Sequence, residues 1–116
     1  MKDFSIDNSK KLNLVELQEL VTEWRKHNFP AANTDSQLKG VVEELGELVH
    51  ADLKESQNIR KMDYTKLEMD GAGDMIIFLL NYCDMKGFTL EAAIKLAWEE
   101  ASKRDWIKYP KNGVNE

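Results

Sequence analysis

The chain has 116 residues, 32% of them charged, and a formal net charge of −5. A chain of this length builds one hydrophobic core, and we expect residues 1–116 to form a single helical domain. The acidic balance argues against a surface that holds nucleic acid, which needs clustered Lys and Arg side chains. A small anionic ligand remains compatible, because a bound cation can reverse the local charge.

The termini and the cysteine content predict a cytoplasmic protein with no membrane partner. No stretch approaches the roughly 18 apolar residues of a transmembrane helix, and the start Met1-Lys2-Asp3-Phe4 lacks the apolar centre of a signal peptide. Cys83 is the single cysteine and cannot form an internal disulfide. Its position in an apolar run predicts a buried structural thiol.

The spacing of apolar residues predicts an all-α fold with four helices and no strands. The expected bounds are about Asn13 to Asn28, Thr34 to Gln57, Asp63 or Thr65 to Lys86, and Thr89 to Arg104-Asp105. Thr34 and Gln37 have the spacing of a capping box, and Gly87 is a typical helix stop. Residues 107–116 contain Pro110 and Gly113 and are expected to be irregular.

The second predicted helix carries three glutamates on one side. Glu43, Glu44 and Glu47 fall together, opposite an apolar stripe centred on Leu38, Leu45 and Val49 that should face the core. Such a group is also common on a solvated helix face. Gly46 lies inside the helix, where glycine usually persists because another element or a ligand approaches closely.

The third predicted helix carries an aspartate pair. Asp70 and Asp74 lie one turn apart, and Asp74 leads directly into the apolar run Met75 to Leu80, which we expect to be buried on most sides. An unpaired buried carboxylate costs several kcal/mol or more, so Asp74 should have a partner. The alternative is a pair that stays exposed near the N-terminal turns, where the helix dipole favours negative charge.

Antiparallel packing of these two helices would bring the glutamates opposite the aspartates. Five converging carboxylates without a counter-charge would repel one another and raise their pKa values. Divalent cations remove this repulsion, and Mg²⁺ suits a shell made only of oxygen ligands. The sequence therefore predicts a metal site between the second and third helices.

The ordered motifs also resemble a known family. They are Glu43-Glu44-x-x-Glu47, the pair Asp70 and Asp74, the run Met75-Ile76-Ile77-Phe78-Leu79-Leu80, and Lys103-Arg104-Asp105-Trp106. In this order, they make the chain similar to the MazG-like nucleoside triphosphate pyrophosphohydrolases, which belong to the all-α NTP pyrophosphatases. The resemblance implies a four-helix bundle-like fold that binds Mg²⁺, with Mn²⁺ as an alternative, and a nucleoside triphosphate substrate.

The resemblance also implies roles for the carboxylates. Glu44, Glu47 and Asp74 would be metal ligands, and Glu43 would be a further ligand or the residue that orients the attacking water. The family usually has a glutamate three residues before the last aspartate, and this chain has Gly71 there. We expect Asp70, which shares the helix face of Asp74, to replace that ligand.

In the implied reaction, water attacks the α-phosphorus and releases a nucleoside monophosphate and pyrophosphate. Lys54, Lys103 and Arg104 are candidates for binding the distal phosphates, although each also fits an ordinary surface charge. Trp24 and Trp106 are candidates for stacking on a base, with core packing as the alternative for Trp24, whereas Trp98 is expected in the core. Asn81 is a candidate for hydrogen bonding to sugar or base. The base and sugar preferences and the physiological role, such as nucleotide-pool house-cleaning, stay open.

Two other functional classes compete with this hypothesis. Glu47 and His50 have the Glu-x-x-His spacing of di-iron helical proteins, but that motif should occur twice, and the segment before His27 does not repeat it. A helical module that dimerises through apolar faces, without enzymatic activity, is the second alternative. A short chain with so much apolar helix surface is expected to complete its core as a homodimer or homotetramer.

Overall fold

The computed structural model describes residues 3–115, and these residues form an all-α fold, as the sequence predicts. The helices are α1 (Leu14–Asn28), α2 (Thr34–Gln57), α3 (Tyr64–Lys86) and α4 (Leu90–Ala101). Within the described part of the chain, no helix combines the length and apolar content that crossing a bilayer requires. Expectations that fall on residues 1, 2 and 116 lie outside the described residues.

Side-chain caps explain where the helices begin. The caps Asn13, Asp63 and Thr89 accept hydrogen bonds from the backbone N–H groups of Glu16, Lys66 and Ala92. The capping box of α2 pairs Asn33 with Ser36, so the predicted Thr34–Gln37 box is wrong, because Thr34 is already the first helical residue. Helix α3 ends at Gly87, whose φ of 83° favours glycine, as expected.

Helix α4 is shorter than predicted and ends at Ala101, before Arg104-Asp105. The chain then forms a hydrogen-bonded turn: Asp105 N donates to the Gly113 carbonyl at 2.7 Å, and Gly113 N donates to the Tyr109 carbonyl at 2.8 Å. Residues 107–115 are therefore non-helical, as expected, but specific hydrogen bonds hold this segment in place.

Helices α2 and α3 pack antiparallel, which confirms the expected arrangement. A Cβ atom added at Gly40 would overlap the Phe78 ring, and one added at Gly71 would lie 3.3 Å from the Leu48 Cβ. Residues early in α2 thus contact residues late in α3, and residues further along α2 contact residues earlier in α3. Two glycines, one on each helix, allow this close approach.

The small core lies where α1 and α4 meet the C-terminal half of α3. Its buried apolar members are Val21, Leu80, Cys83 and Leu90, and Cys83 is buried as predicted. The Gln18 side chain adds a polar tie, because its Nε2 donates to the Phe88 carbonyl at 3.0 Å and its Oε1 accepts from Leu90 N at 2.8 Å. This tie fixes the turn between α3 and α4 against α1.

Three expectations about burial are wrong within this single chain. Leu38, Leu45 and Val49 are 45%, 46% and 58% exposed, because the opposite side of α2 faces α3. The run Met75 to Leu80 is only partly buried, and Asp74 in the middle of α3 is exposed. Trp98, expected in the core from its apolar helix side, is also exposed, since α4 contacts the rest of the chain along one narrow face.

Substitutions at the glycines of α2 test this packing. Gly40→Ala should lower the free energy of unfolding by about 1–3 kcal/mol, because the added methyl group overlaps Phe78. Gly46 meets no other atom within 4 Å, so Gly46→Ala should raise it by about 0.5–1 kcal/mol through better helix propensity. Urea unfolding followed by circular dichroism measures both, and equal effects at the two positions would contradict the packing.

Candidate functional site

The predicted carboxylates lie between two cavities, and Asp74 lines both of them. The first, of about 620 Å³, lies between α2 and the first half of α3, and we call it the charged cavity. The second, of about 700 Å³, lies between the α1–α2 connection and α3, and we call it the aromatic cavity. Glu43, Glu47 and Asp70 line the charged cavity, whereas Glu44 lines the aromatic cavity.

Glu44 lies close enough to carboxylates of both helices to be affected by them, although no three of the predicted ligands bring ligand atoms within 4.8 Å of one another in the described residues. Burial of its carboxyl group raises its pKa above the ordinary value, and the hydrogen bond with Glu47 and the charges of Glu47, Asp74 and Glu43 raise it further. The Glu44 Oε2 atom is buried and has no hydrogen-bond partner among the residues that the structure describes. Like charges from both helices therefore act on one buried oxygen.

A tighter acidic group lies further along the same helix pair. Asp52, Glu55 and Glu68 are the one group within residues 3–115 that brings three potential ligand atoms within 4.8 Å of one another. The hydrogen bond with Glu55 raises the pKa of Glu68, with burial and the charges of Glu55 and Asp52 as further causes. Our sequence analysis missed this group, although Asp52 and Glu55 lie one turn apart on α2.

Gly71 and Asp70 have different surroundings at the contact between α2 and α3. Gly71 is buried against Leu48, and a Cβ there would lie 3.3 Å from the Leu48 Cβ, so a larger side chain would require Leu48 to shift. Asp70 lies one residue earlier, is exposed, and lines the charged cavity together with Asp74. The helix contact thus disfavours an acid at position 71, whereas an acid at position 70 reaches the charged cavity without disturbing it.

Two cations line the charged cavity. Lys54, a predicted phosphate ligand, is half-buried there, and its Nζ donates to the Gln57 Oε1 at 3.3 Å. Arg60 also lines this cavity, as does His50. The sequence analysis missed Arg60, because it lies in the turn between the helices, where no periodicity indicates which way a residue faces.

The other basic candidates lie elsewhere. Lys103, Arg104 and Trp106 belong to the segment after α4 and line neither cavity. Lys103 Nζ is 3.9 Å from the Glu99 carboxylate, and the Arg104 guanidinium carbon lies 6.0 Å from the centroid of the Trp106 ring. The structure therefore does not bring these three residues together with the carboxylates.

The aromatic cavity has flat apolar walls. Trp24 and Phe29 lie edge to face with their ring centroids 5.7 Å apart, and Phe78 and Ile77 contribute further apolar surface. Trp24 lines this cavity while remaining partly exposed, so the candidate stacking residue is accessible to a ligand. Asn81, the candidate for base or sugar contacts, is buried and lines the same cavity.

Arg25 was missed by the sequence analysis and also lines this cavity. Its Nη2 donates to the Asp84 carboxylate at 2.9 Å, and its Nη1 donates to the Asn81 carbonyl at 3.3 Å and to the Asn81 Oδ1 at 3.2 Å. The sequence did contain a signal, because Arg25 follows Val21 by one helical turn and so places a cation on the buried side of α1.

Comparison with known proteins identifies no relative: no protein-family model, no curated protein and no solved structure matches this chain.

Proposed function

We propose that this protein is a Mg²⁺-dependent nucleoside triphosphate pyrophosphohydrolase that produces a nucleoside monophosphate and pyrophosphate. One observation carries the proposal: Asp74 separates a cavity that contains Lys54 and Arg60 from a cavity walled by Trp24 and other apolar side chains. A nucleoside triphosphate has the same order of parts. Its distal phosphates would lie in the charged cavity, its reacting α-phosphorus near Asp74, and its base in the aromatic cavity. The resemblance of the ordered acidic motifs supports the same activity.

The carboxylates fit a hard divalent cation. The Glu44 Oε2 atom is buried without a partner, and a cation would complete its coordination. Glu47, Asp70 and Asp74 add oxygen ligands, the type that Mg²⁺ and Mn²⁺ prefer. When bound, such an ion neutralises phosphate charge and lowers the pKa of a coordinated water.

The side chains of this chain have separate tasks in the reaction. Glu43 orients the attacking water and accepts its proton as the water oxygen bonds to the α-phosphorus. The bond between the α-phosphorus and the bridging oxygen breaks, and the electron pair leaves with pyrophosphate. Lys54 and Arg60 stabilise the charge on this leaving group, and Trp24 holds the base. No side chain needs to act as a nucleophile.

We further propose that two copies complete the core as a homodimer. The Cα radius of gyration is 17.7 Å, against about 13 Å for a compact chain of this size. The accessible surface is 9139 Å², against about 6,500 Å² for a typical folded monomer of this mass. The excess is of the order that a permanent dimer interface buries. The stripe formed by Leu38, Val42, Leu45, Val49 and Leu53 is the surface that we assign to it.

The activity is tested by incubating the protein with Mg²⁺ and a panel of ribo- and deoxyribonucleoside triphosphates. We expect release of monophosphate and pyrophosphate, and Asp74→Asn or Glu47→Gln should lower kcat/KM by at least about 100-fold. The matched control Glu19→Gln removes an exposed carboxylate of α1 and should leave turnover unchanged. Turnover of no nucleotide by the folded protein would refute the proposal and favour a non-enzymatic interaction module.

Neutralising Glu44 should have opposite effects on the stability of the metal-free protein and on its stabilisation by Mg²⁺. Without divalent cations at pH 7, Glu44→Gln should raise the Tm by a few degrees, because it removes repulsion from Glu47 and Asp74. This gain in Tm should disappear at lower pH. As the pH falls from the raised pKa of folded Glu44 towards the ordinary value of 4.5, the wild-type carboxyl becomes protonated and loses the charge that is repelled. Mg²⁺ should raise the Tm of the wild type more than that of the variant.

Calorimetric scans with and without Mg²⁺ measure these shifts. A lower Tm for metal-free Glu44→Gln than for the wild type would contradict the repulsion. An equal response of both proteins to Mg²⁺ would remove Glu44 from the proposed ligands.

The dimer is tested by sedimentation equilibrium. Wild-type protein should sediment as a dimer or a dimer of dimers, and Leu45→Lys combined with Val49→Lys should produce monomers, because two charges then lie in the proposed apolar interface. Leu96→Lys changes an exposed leucine of α4 and is the matched control. A monomeric wild type, or a double variant that still associates, would contradict the assignment of this surface.

A further inference from the structure

The buried Arg25 determines which way the Asn81 amide faces. Arg25 is 6% exposed and lies between α1 and α3, with Asp84 on one side and Asn81 on the other. A guanidinium group has donors and no acceptors. The Asn81 atom that faces Nη1 at 3.2 Å must therefore be the amide oxygen, and the amide nitrogen must lie on the other side.

The amide nitrogen of Asn81 has no hydrogen-bond acceptor among the described residues. Asn81 is 2% exposed and lines the aromatic cavity. Across residues 3–115 its Nδ2 donates no hydrogen bond, yet it does not belong to the fully enclosed polar atoms of this part of the chain. Because this donor is not fully enclosed and lacks a protein acceptor, it is available to an acceptor of a ligand that enters the cavity.

We propose that Arg25 is a positioning residue that fixes Asn81 as a hydrogen-bond donor, and that the aromatic cavity thereby selects nucleobases with a carbonyl rather than an amino group at the recognised edge. This inference rests on the proposed function for its substrate class. It adds the chemical feature by which the site distinguishes one nucleotide from another.

The placement of Asn81 favours the base over the sugar as its partner. Asn81 follows Asp74 by seven residues on α3, which is about 10 Å along the helix axis. Asp74 is exposed, whereas Asn81 is almost fully buried between apolar walls that include Phe78. A nucleotide whose phosphates lie at Asp74 would therefore place its sugar between them and the edge of its base at Asn81.

Because the Asn81 amide is fixed, the site should bind a base with a carbonyl group and reject a base with an amino group at the same position. A ring carbonyl accepts from Nδ2, whereas an amino group would bring donor against donor and leave both without partners. Sites that hydrogen-bond a substrate group reject an analogue lacking it far more strongly than apolar pockets do. Without Arg25 the amide could rotate and present its oxygen, and the site would accept both kinds of base.

The test compares two pairs of nucleotides that differ in one exchange of carbonyl for amino group: dUTP against dCTP, and dITP against dATP. Wild-type protein with Mg²⁺ should favour the carbonyl member of each pair by at least about tenfold in kcat/KM. Arg25→Met should bring both ratios close to one, and Arg25→Lys, which keeps a donor, should retain the preference. Lys95→Met removes an exposed cation of α4 and should change neither ratio.

A second variant covers the case in which Arg25→Met fails to fold. Asn81→Asp replaces the amide nitrogen by an acceptor, and it should shift each ratio towards the amino member. Circular dichroism confirms that each variant is folded before it is assayed. Equal use of both members of each pair by the wild type, or an unchanged ratio in folded Arg25→Met, would overturn the proposal.

Binding measured by calorimetry separates this inference from the proposed function. Selective binding of the carbonyl members without turnover would refute the enzyme and support the donor at Asn81. Turnover of all four nucleotides at similar rates would support the enzyme and refute the donor. Absence of both binding and turnover would refute both proposals.

Discussion

The close contact between α2 and α3 is the constraint on which the rest of the structure depends. Gly40 receives the Phe78 ring and Gly71 receives Leu48, so the two helices approach more closely than larger side chains would allow. This approach buries the Glu44 carboxyl near Asp74, and burial, together with the neighbouring like charges, raises the pKa of Glu44. The packing that stabilises the helix pair thus creates the electrostatic repulsion that a cation would relieve.

The same contact determines what the remaining surfaces can do. Because α2 packs the side that contains Gly40 and Leu48 against α3, its apolar stripe from Leu38 to Leu53 faces outwards. The core that remains is small and lies at the other end of α3, where Gln18 and Arg25 tie α1 to it through hydrogen bonds. A second copy of the chain is the occupant that we propose for the outward apolar stripe, since it would supply the missing core.

The two cavities give the carboxylates different surroundings although they lie close together. Lys54 and Arg60 make one side suitable for a polyanion, whereas Trp24 and Phe78 make the other side suitable for a flat apolar ring. Arg25 lines this second cavity as well, and it also holds Asn81 there through a hydrogen bond. Charge on one side and a directed donor on the other would together orient a nucleotide.

The sequence by itself determined the four helices and most of their ends, because caps such as Asn13, Asp63 and Gly87 act through local hydrogen bonds and backbone conformation. It also indicated that Glu44 and Asp74 would meet, because a short connection favours antiparallel neighbours. Only the tertiary structure decided which side of α2 is buried, since periodicity identifies an apolar stripe but not the chain that covers it. Tertiary contacts likewise excluded Trp106 from the cavities and brought Arg25 to Asn81, because both outcomes depend on packing between segments far apart in the chain.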